Sequence, residues 1–286
     1  MTLDEAYAEC RAIAHKHGAN FSVGFRFLPP RKRRAVYAAY AFCRVADDIA
    51  DDEDRGATTE NRLARLDAWQ RELDLIYSGR PQHAIGVALA DALQFFDIPK
   101  SAFIALIDGC RQDMIKTRYE TFAELLQYCE LVATSISDIS LAIYGYRTDR
   151  ALDHGRSLST ALQLTNVTRD IGDDLTRDRI YIPREEMQLF GVTEAELFAR
   201  AENERVRQLI EFQIARAEQY FRDAEPLLRE LEFDARFPTL LMGGVYATVL
   251  AKLRKDPLVA IRKRLSLSTM QKLLVIGTRV LRPHFV

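Results

Sequence analysis

Six of the eight residues from 47 to 54 are acidic: Asp47, Asp48, Asp51, Asp52, Glu53 and Asp54. They end an apolar, aromatic stretch, YAFCRVA (residues 40–46), with the composition of a buried helix. Like charges three or four apart on a helix repel by about 0.2–0.5 kcal/mol per pair. Acids near a helix C-terminus also oppose its macrodipole, at ~0.3–1 kcal/mol each. A second run, QLTNVTRDIGDD, occupies residues 163–174. Asp170 and Asp174 are four apart there, as Asp47 and Asp51 are, so each pair is expected on one helix face. Asn166, four before Asp170, extends that face. Arg44 stands three before Asp47, and Arg169 directly precedes Asp170. A solvated helix end accounts for one such run. Two, about 120 residues apart, repeat an unfavourable arrangement unless a cation joins them. Mg2+ is a hard ion that takes one or two carboxylates and leaves other positions for water and substrate phosphate. Arginines grip phosphate oxygens bidentately. A magnesium–diphosphate site is therefore the chemistry expected. A di-iron bundle needs Glu-x-x-His pairs, and none of the five histidines follows a glutamate at that spacing.

The elements that must carry these residues read as helices. Leu63, Leu66, Trp69, Leu73, Ile76 and Tyr77 recur at three- and four-residue spacings, and Gly79-Arg80-Pro81 stops that helix. Thr121 with Glu124, Thr193 with Glu196 and Ser268 with Gln271 have the spacing of capping boxes. Pro29-Pro30 suits a helix start. Alternating runs closed by Asn-Gly or Asp-Gly turns are missing, as are Gly/Ser/Pro-rich linkers and repeats of 30 to 50 residues. The expectation is all-α, a single domain over residues 1–286 with eight or more helices.

Composition sets further bounds. With 48% apolar residues the chain can bury a large core, and a net charge of −1 implies no nucleic-acid partner. Cys10, Cys43, Cys110 and Cys129 are widely spaced, which argues against a disulfide framework or structural zinc. The N-terminus MTLDEAYAEC lacks signal-peptide character. The longest uncharged run, residues 237–251, is 15 residues, short of the ~20 that span a bilayer. The reading is a cytoplasmic protein, peripheral to the inner face of the membrane if it touches one.

Longer stretches carry a resemblance. His17 with Phe21 and Ser22, the segment LPPRKRRAVYAAYAFCRVADDIAD (28–51) and DMIKTRYETFAELLQYC (113–129) are three of them. QLTNVTRDIGDD, DRIYIPREE (178–186), Tyr246 and KRLSLS (263–268) complete the set. Together they resemble the squalene/phytoene synthase family, the head-to-head trans-isoprenyl diphosphate synthases. The resemblance implies an orthogonal helical bundle of the isoprenoid synthase type around a central apolar cavity. It matches Asp47 and Asp51 to the first aspartate motif and Asp170 and Asp174 to the second, with Asn166 joining the metal ligands and Gln163 and Asp173 beside them. Arg44, Arg169, Lys263 and Arg264 would hold diphosphate. His17, Phe21, Phe25, Tyr40 and Tyr246 match cavity or diphosphate positions, and Tyr181 lies in a segment like the family's flap.

The implied reaction is Mg2+-dependent, with Mn2+ as a substitute. One allylic diphosphate ionises, and the other's double bond attacks its C1. The resulting cyclopropylcarbinyl diphosphate ionises again and rearranges. Such chemistry needs charge stabilisation at the leaving group and a dry cavity. Two geranylgeranyl diphosphates giving phytoene is the reading taken. Squalene, presqualene diphosphate or dehydrosqualene from farnesyl diphosphate are the alternatives, NADPH entering only for squalene. Two departures from the family pattern bear on this choice: Thr134 and Ser137 replace glycines in residues 132–137, and Gly18-Ala19-Asn20 stands where relatives carry Ser and Lys. The basic, partly apolar segment after Asp256 is expected to touch membrane peripherally, and downstream isoprenoid enzymes are conceivable partners. Rival readings are a non-catalytic helical scaffold, which intact acidic motifs disfavour, and a head-to-tail prenyltransferase or terpene cyclase, which lacks the DRIYIP segment.

Overall fold

Proline opens the helix that carries the first acidic run: Pro30 begins a helix that continues unbroken to Asp51. Proline costs nothing at a first helical position, where the amide has no partner. The computed structural model describes residues 1–17, 22–51, 57–281 and 284–285. In chain order, α1 (Leu3–His17), α2 (Ser22–Phe25) and α3 (Pro30–Asp51) precede α4 (Thr59–Tyr77), α5 (Ala84–Ala92) and α6 (Lys100–Asp113). Next come α7 (Phe122–Cys129), a π-helical turn (Glu130–Thr134), α8 (Ser135–Tyr144), α9 (Arg150–Arg169) and α10 (Ile171–Leu175). Short α11 (Arg184–Leu189) and α12 (Glu194–Phe198) lead to α13 (Glu204–Ala224) and α14 (Leu227–Glu230). The chain closes with α15 (Phe233–Lys255), α16 (Val259–Arg262) and α17 (Thr269–Leu281). Among the described residues there is no strand, only isolated bridges between Arg118 and Ile180 and between Tyr146 and Leu231.

The capping signals resolve in detail. Thr193 and Glu196 form a reciprocal capping box at α12, and Ser268 and Gln271 exchange the same two bonds at α17. Thr121 accepts from the Glu124 amide, but the Glu124 carboxylate turns away to the Glu120 amide and Lys116. That pair is half a box, because a lysine competes for the acid. Gly79 ends α4 with φ +74°, a conformation that side-chain-bearing residues resist.

Two helices form the spine. α3 is packed by α1, α4, α5, α6 and α8, and α9 by α13, α8, α15 and α7. Their inward faces, Ala35 to Ala50 on α3 and Ala151 to Val167 on α9, are buried. Small alanines on α3 let neighbouring helices come close. Below its acidic end, the Phe42 ring stacks on Trp69 at 4.8 Å, and the Trp69 indole N–H donates to the Phe42 carbonyl at 3.1 Å. All four cysteines are buried and free. The uncharged run 237–251 lies inside α15, and among the described residues no helix is long and apolar enough to cross a membrane.

Phe42 thus fixes the height of the first acidic motif. Phe42→Ala is expected to destabilise the protein by about 3–5 kcal/mol through lost burial and cavity formation, read as a shift in the urea midpoint. A loss under about 1 kcal/mol would show that α3 is held by its other contacts.

Candidate active site

Asp47 and Asp51 project from the last turns of α3, Asp47 half-buried and Asp51 exposed. Asp48, between them, turns outward and pairs with Arg44. Asp52, Glu53 and Asp54 fall outside the described residues. The second pair is built differently from the sequence expectation. α9 ends at Arg169; Asp170 leaves helical geometry (φ −99°, ψ 8°), and the chain restarts as α10. The Asp174 amide still donates to the Asp170 carbonyl at 2.9 Å, so the four-residue relation survives the bend. Gly172 explains the glycine of RDIGDD: a Cβ there would lie 2.7 Å from the Ile261 carbonyl oxygen, so α10 can press against α16 only without one.

The two motifs meet through arginine and a fifth carboxylate. Arg177, just past the second motif, approaches Asp51 of the first at 3.9 Å. Asp113, at the end of α6, acts electrostatically on both Asp47 and Asp174. Burial pushes Asp47 up to about 7, with Asp51 and Asp113 adding and Arg44 and a Cys110 thiol contact at 3.5 Å opposing. Burial likewise pushes Asp174 up to about 7, Asp170 adding and Arg179 and Arg177 opposing. Asp113 is raised by burial against the hydroxyls of Tyr128 and Tyr181, which donate to it at 2.7 and 2.9 Å. Asp170 is instead neutralised by guanidinium groups. Arg169 holds it with two hydrogen bonds, Nε at 2.7 Å and Nη2 at 2.5 Å, and Arg264 Nε adds an ion pair at 3.0 Å.

The flap segment is anchored firmly. The Arg179 guanidinium donates to the Asp113 carbonyl at 3.0 Å, and the Ile180 amide to Thr117 at 2.9 Å. The rings of Tyr119, Tyr128 and Tyr181 pack with centroids 5.4–5.7 Å apart. Tyr181 therefore lies at the acidic end, tied to α6. Phe25 approaches Tyr37 at 6.1 Å and Tyr40 at 6.4 Å, and burial raises the Tyr40 hydroxyl to about 12. Tyr246 is buried, and hydrogen bonds from Asn166 and Arg169 act on its hydroxyl. The Asn166 amide nitrogen also donates to Gln163 at 3.3 Å. A cavity of about 290 Å³ lies beside these groups, lined by Arg169, Tyr246, Arg264, Lys272 and apolar residues of α15 and the 265–267 strap. A larger hollow of about 640 Å³ sits away from the acids, against α4 and α5. Lys263 is exposed, and no described contact joins it to the acids. His17 is the last residue of α1, and Phe21 and the Gly18-Ala19-Asn20 departure lie outside the described residues.

The other departure is visible. The helix from α7 to α8 passes through the π-turn at Glu130–Thr134, where one extra residue in the turn re-phases the side chains of α8. Ser137 Oγ lies 2.7 Å from where a Cβ on Gly155 of α9 would stand. The bulk added at residue 137 is thus taken up by a glycine on the facing helix.

Divalent metal was tested against the donor set. Among the described residues no group of three or more His, Cys, Asp or Glu side chains is placed to hold a metal ion. An ion that takes one or two carboxylates and completes its shell with phosphate and water needs no such cage. Asn166 Oδ1 is buried with no hydrogen-bond partner, an orphaned oxygen four residues from Asp170. Oxygen donors, two half-neutralised carboxylates and a lone amide oxygen fit a hard divalent cation.

A helical bundle with one aspartate pair at the end of a spine helix and another just past the end of the second has the architecture of a prenyl diphosphate-binding enzyme of the isoprenoid synthase fold. The comparisons agree: the Squalene/phytoene synthase family pattern matches residues 14–271. The 15-cis-phytoene synthase of Synechococcus elongatus is 33% identical, covering 98% of this chain and 94% of the relative. That of Synechocystis is 34% identical, covering 98% and 86%. Among solved structures, a dehydrosqualene synthase matches with TM-score 0.88 at 27% identity, covering 99% and 98%. A squalene synthase from Alicyclobacillus acidocaldarius matches with TM-score 0.83 at 31%, covering 89% and 95%. The chain belongs to the squalene/phytoene synthase family. It is a prenyltransferase that condenses two allylic diphosphates head to head.

Sequence reasoning missed Asp113, Tyr128, Arg177 and Arg179 as parts of this site. Asp113 opens the quoted 113–129 motif and Tyr128 is its penultimate residue, and Arg179 stands two before Tyr181 in DRIYIP. Only the signal of their meeting was missing.

The shifts of Asp47 and Asp174 carry a pH dependence. Both bind protons in the folded state up to about pH 7, whereas the unfolded chain releases them near the ordinary 3.8. The folded state therefore holds more protons between those values, and stability falls as pH rises through that window. In metal-free buffer with chelator, the urea midpoint should drop from pH 5 to pH 8. Asp47→Asn/Asp174→Asn should flatten that slope; an equal slope in the variant would contradict these assignments.

Proposed function

We propose that the enzyme joins two geranylgeranyl diphosphates to form phytoene, using Mg2+, or Mn2+ in its place. The product assignment is supported by the two cyanobacterial relatives, both named 15-cis-phytoene synthase and both aligned over nearly the whole chain. A specific observation keeps a second reading alive: the structural neighbour at TM-score 0.88 is a dehydrosqualene synthase, which favours the C15 alternative of farnesyl diphosphate. NADPH would be needed only for squalene.

Assigning Asp47, Asp51, Asn166, Asp170 and Asp174 to one site is supported by the approach of Arg177 to Asp51, by Asp113 acting on both Asp47 and Asp174, and by the orphaned Asn166 oxygen. These five residues would hold the metal, which when bound draws negative charge off the departing diphosphate. Arg264 and Arg169, now on Asp170, are positioned to transfer part of their hydrogen bonding to phosphate oxygens as the carboxylate turns to the ion. Gln163 and Tyr246 adjoin Asn166 and would orient it, and Lys263 adds exposed positive charge near Arg264. Arg177 approaches Asp51 and offsets part of the first motif's negative charge. Phe25, with Phe21 assigned beside it by the resemblance, and Tyr40 supply aromatic faces toward a developing allylic cation, each worth ~0.5–2 kcal/mol when desolvated. His17 is proposed as a polar contact at the mouth. Tyr181, Tyr128 and the Arg179 bond close the acidic end against water that would quench the cation. Arg44, on Asp48, would hold the first motif in register and reach phosphate once Asp48 is solvated.

The basic C-terminal segment is proposed as a peripheral contact with membrane. α17 turns Met270 and Leu274 to solvent, with Lys263 and Arg264 exposed nearby.

Incubating purified protein with Mg2+ and C20 or C15 diphosphate, with and without NADPH, and identifying hydrocarbons by mass spectrometry decides the product. Phytoene from C20 substrate is expected. A C15-only hydrocarbon would replace it, and no product from either would refute the synthase reading. Asp47→Ala and Asp170→Ala should each lower turnover at least a thousandfold (about 4 kcal/mol of transition-state stabilisation) while circular dichroism shows intact helix. Near-normal turnover in either would remove that residue from the site.

A further inference from the structure

An exposed aromatic patch lies at the end of α15 away from the acids. Phe233 is 79% exposed and Phe27 52%. Phe27 packs edge-to-face on Phe237, centroids 4.8 Å apart at 84°. The two segments are held together from beneath, since a Cβ on Gly24 would meet the Pro238 carbonyl oxygen at 3.4 Å. Phenylalanines left in water on two elements so closely joined are not the scattered single apolar residues common on protein surfaces.

The charges around it are mostly basic. The Arg236 guanidinium lies 6.0 Å from the Phe233 ring and donates to the Leu231 and Arg229 carbonyls. Arg33 donates to the Arg26 carbonyl at 3.2 Å, which keeps both arginines at the Phe27 turn. Of the nearby acids, Asp234 is bound by Lys32 at 2.7 Å, leaving Glu232 as an exposed negative charge. Exposed aromatics among arginines suit the interface of an anionic bilayer, where rings enter the acyl boundary and guanidinium groups meet headgroups.

Its place relative to the site gives the patch a use. Phe25 points to Tyr37 and Tyr40, while Phe27, two residues on, points to solvent. On α15, Phe237 stands nine residues before Tyr246, about 13 Å along the helix axis. The diphosphate groups belong at the Tyr246 end, so the patch marks the end toward which hydrocarbon chains extend. The reaction's hydrocarbon product has no polar group and cannot disperse in water.

We propose that Phe27, Phe233 and Phe237, with Arg26, Arg33 and Arg236, form a docking face for an anionic lipid bilayer through which the hydrocarbon product passes to lipid. This rests on the condensation reaction but not on whether C15 or C20 substrate is used. It is separate from the α17 contact.

Sedimentation with phosphatidylcholine vesicles, with and without phosphatidylglycerol, tests it. Wild-type protein should bind the anionic vesicles and be released by salt, each basic residue contributing roughly fivefold. Phe27→Glu/Phe233→Glu should lower vesicle partitioning at least tenfold, with melting temperature and turnover in detergent micelles unchanged. Phe233→Trp supplies a local probe, because the native Trp69 is buried against Phe42; the emission of the introduced indole should shift to the blue on anionic vesicles. Unchanged partitioning of Phe27→Glu/Phe233→Glu, or an unshifted emission in Phe233→Trp, would overturn the proposal. So would binding lost only in Met270→Glu/Leu274→Glu, or a light-scattering dimer that Phe233→Glu dissolves, which would assign the face to a second copy of the chain. If Phe27→Glu/Phe233→Glu fails to fold, the Phe233→Trp emission decides. Absent turnover in micelles by the wild type would bear on the reaction, leaving the vesicle result to stand alone.

Discussion

Carboxylates at three helix ends act on one another through space, and much of the surrounding structure answers their mutual repulsion. Asp47 and Asp51 arrive on α3, Asp113 on α6, and Asp170 and Asp174 across the α9–α10 bend. Removing charge from water is costly unless it is paired or neutralised, and this site uses both. Asp170 is paired by Arg169 and Arg264. Asp47 and Asp174 are left to hold protons up to about pH 7. Acids that are partly neutralised in this way suit the divalent ion and diphosphate proposed for them.

That demand reaches into the fold. α9 breaks at Asp170, whose carboxylate is held by Arg169 and Arg264, and Gly172 lets α16 close behind the break. α16 in turn leads into the strap that carries Arg264. The segment from Asp178 to Ile182 crosses back to α6, fastened by Arg179 and by the Tyr181 hydroxyl on Asp113. Phe42 and Trp69 set the level of α3 from below.

Much of this was readable from residue spacing. Helical periodicity and caps foretold the all-α architecture, and the paired D-x-x-x-D runs marked the carboxylates now proposed as the site, because both are local patterns of three or four residues. Three features escaped. The bend at Asp170 is set by packing against α16, which no local pattern encodes. Asp113 and Arg179 stood in recognised motifs, yet their meeting is a tertiary contact across 66 residues. The pairing of Arg44 with Asp48 and of Arg169 with Asp170 also went unread, because adjacency to the motifs did not show which acid each arginine meets.

The central claim is that these carboxylates give up protons to bind a metal–diphosphate pair. Calorimetric titration with a non-ionising C20 thiolodiphosphate near pH 6.5, with and without Mg2+, in buffers of different ionisation enthalpy, measures this directly. The account predicts tight binding only with Mg2+, accompanied by release of about one proton or more, as metal binding to protonated ligands requires. Equal affinity without the ion, and no proton release with it, would contradict the account.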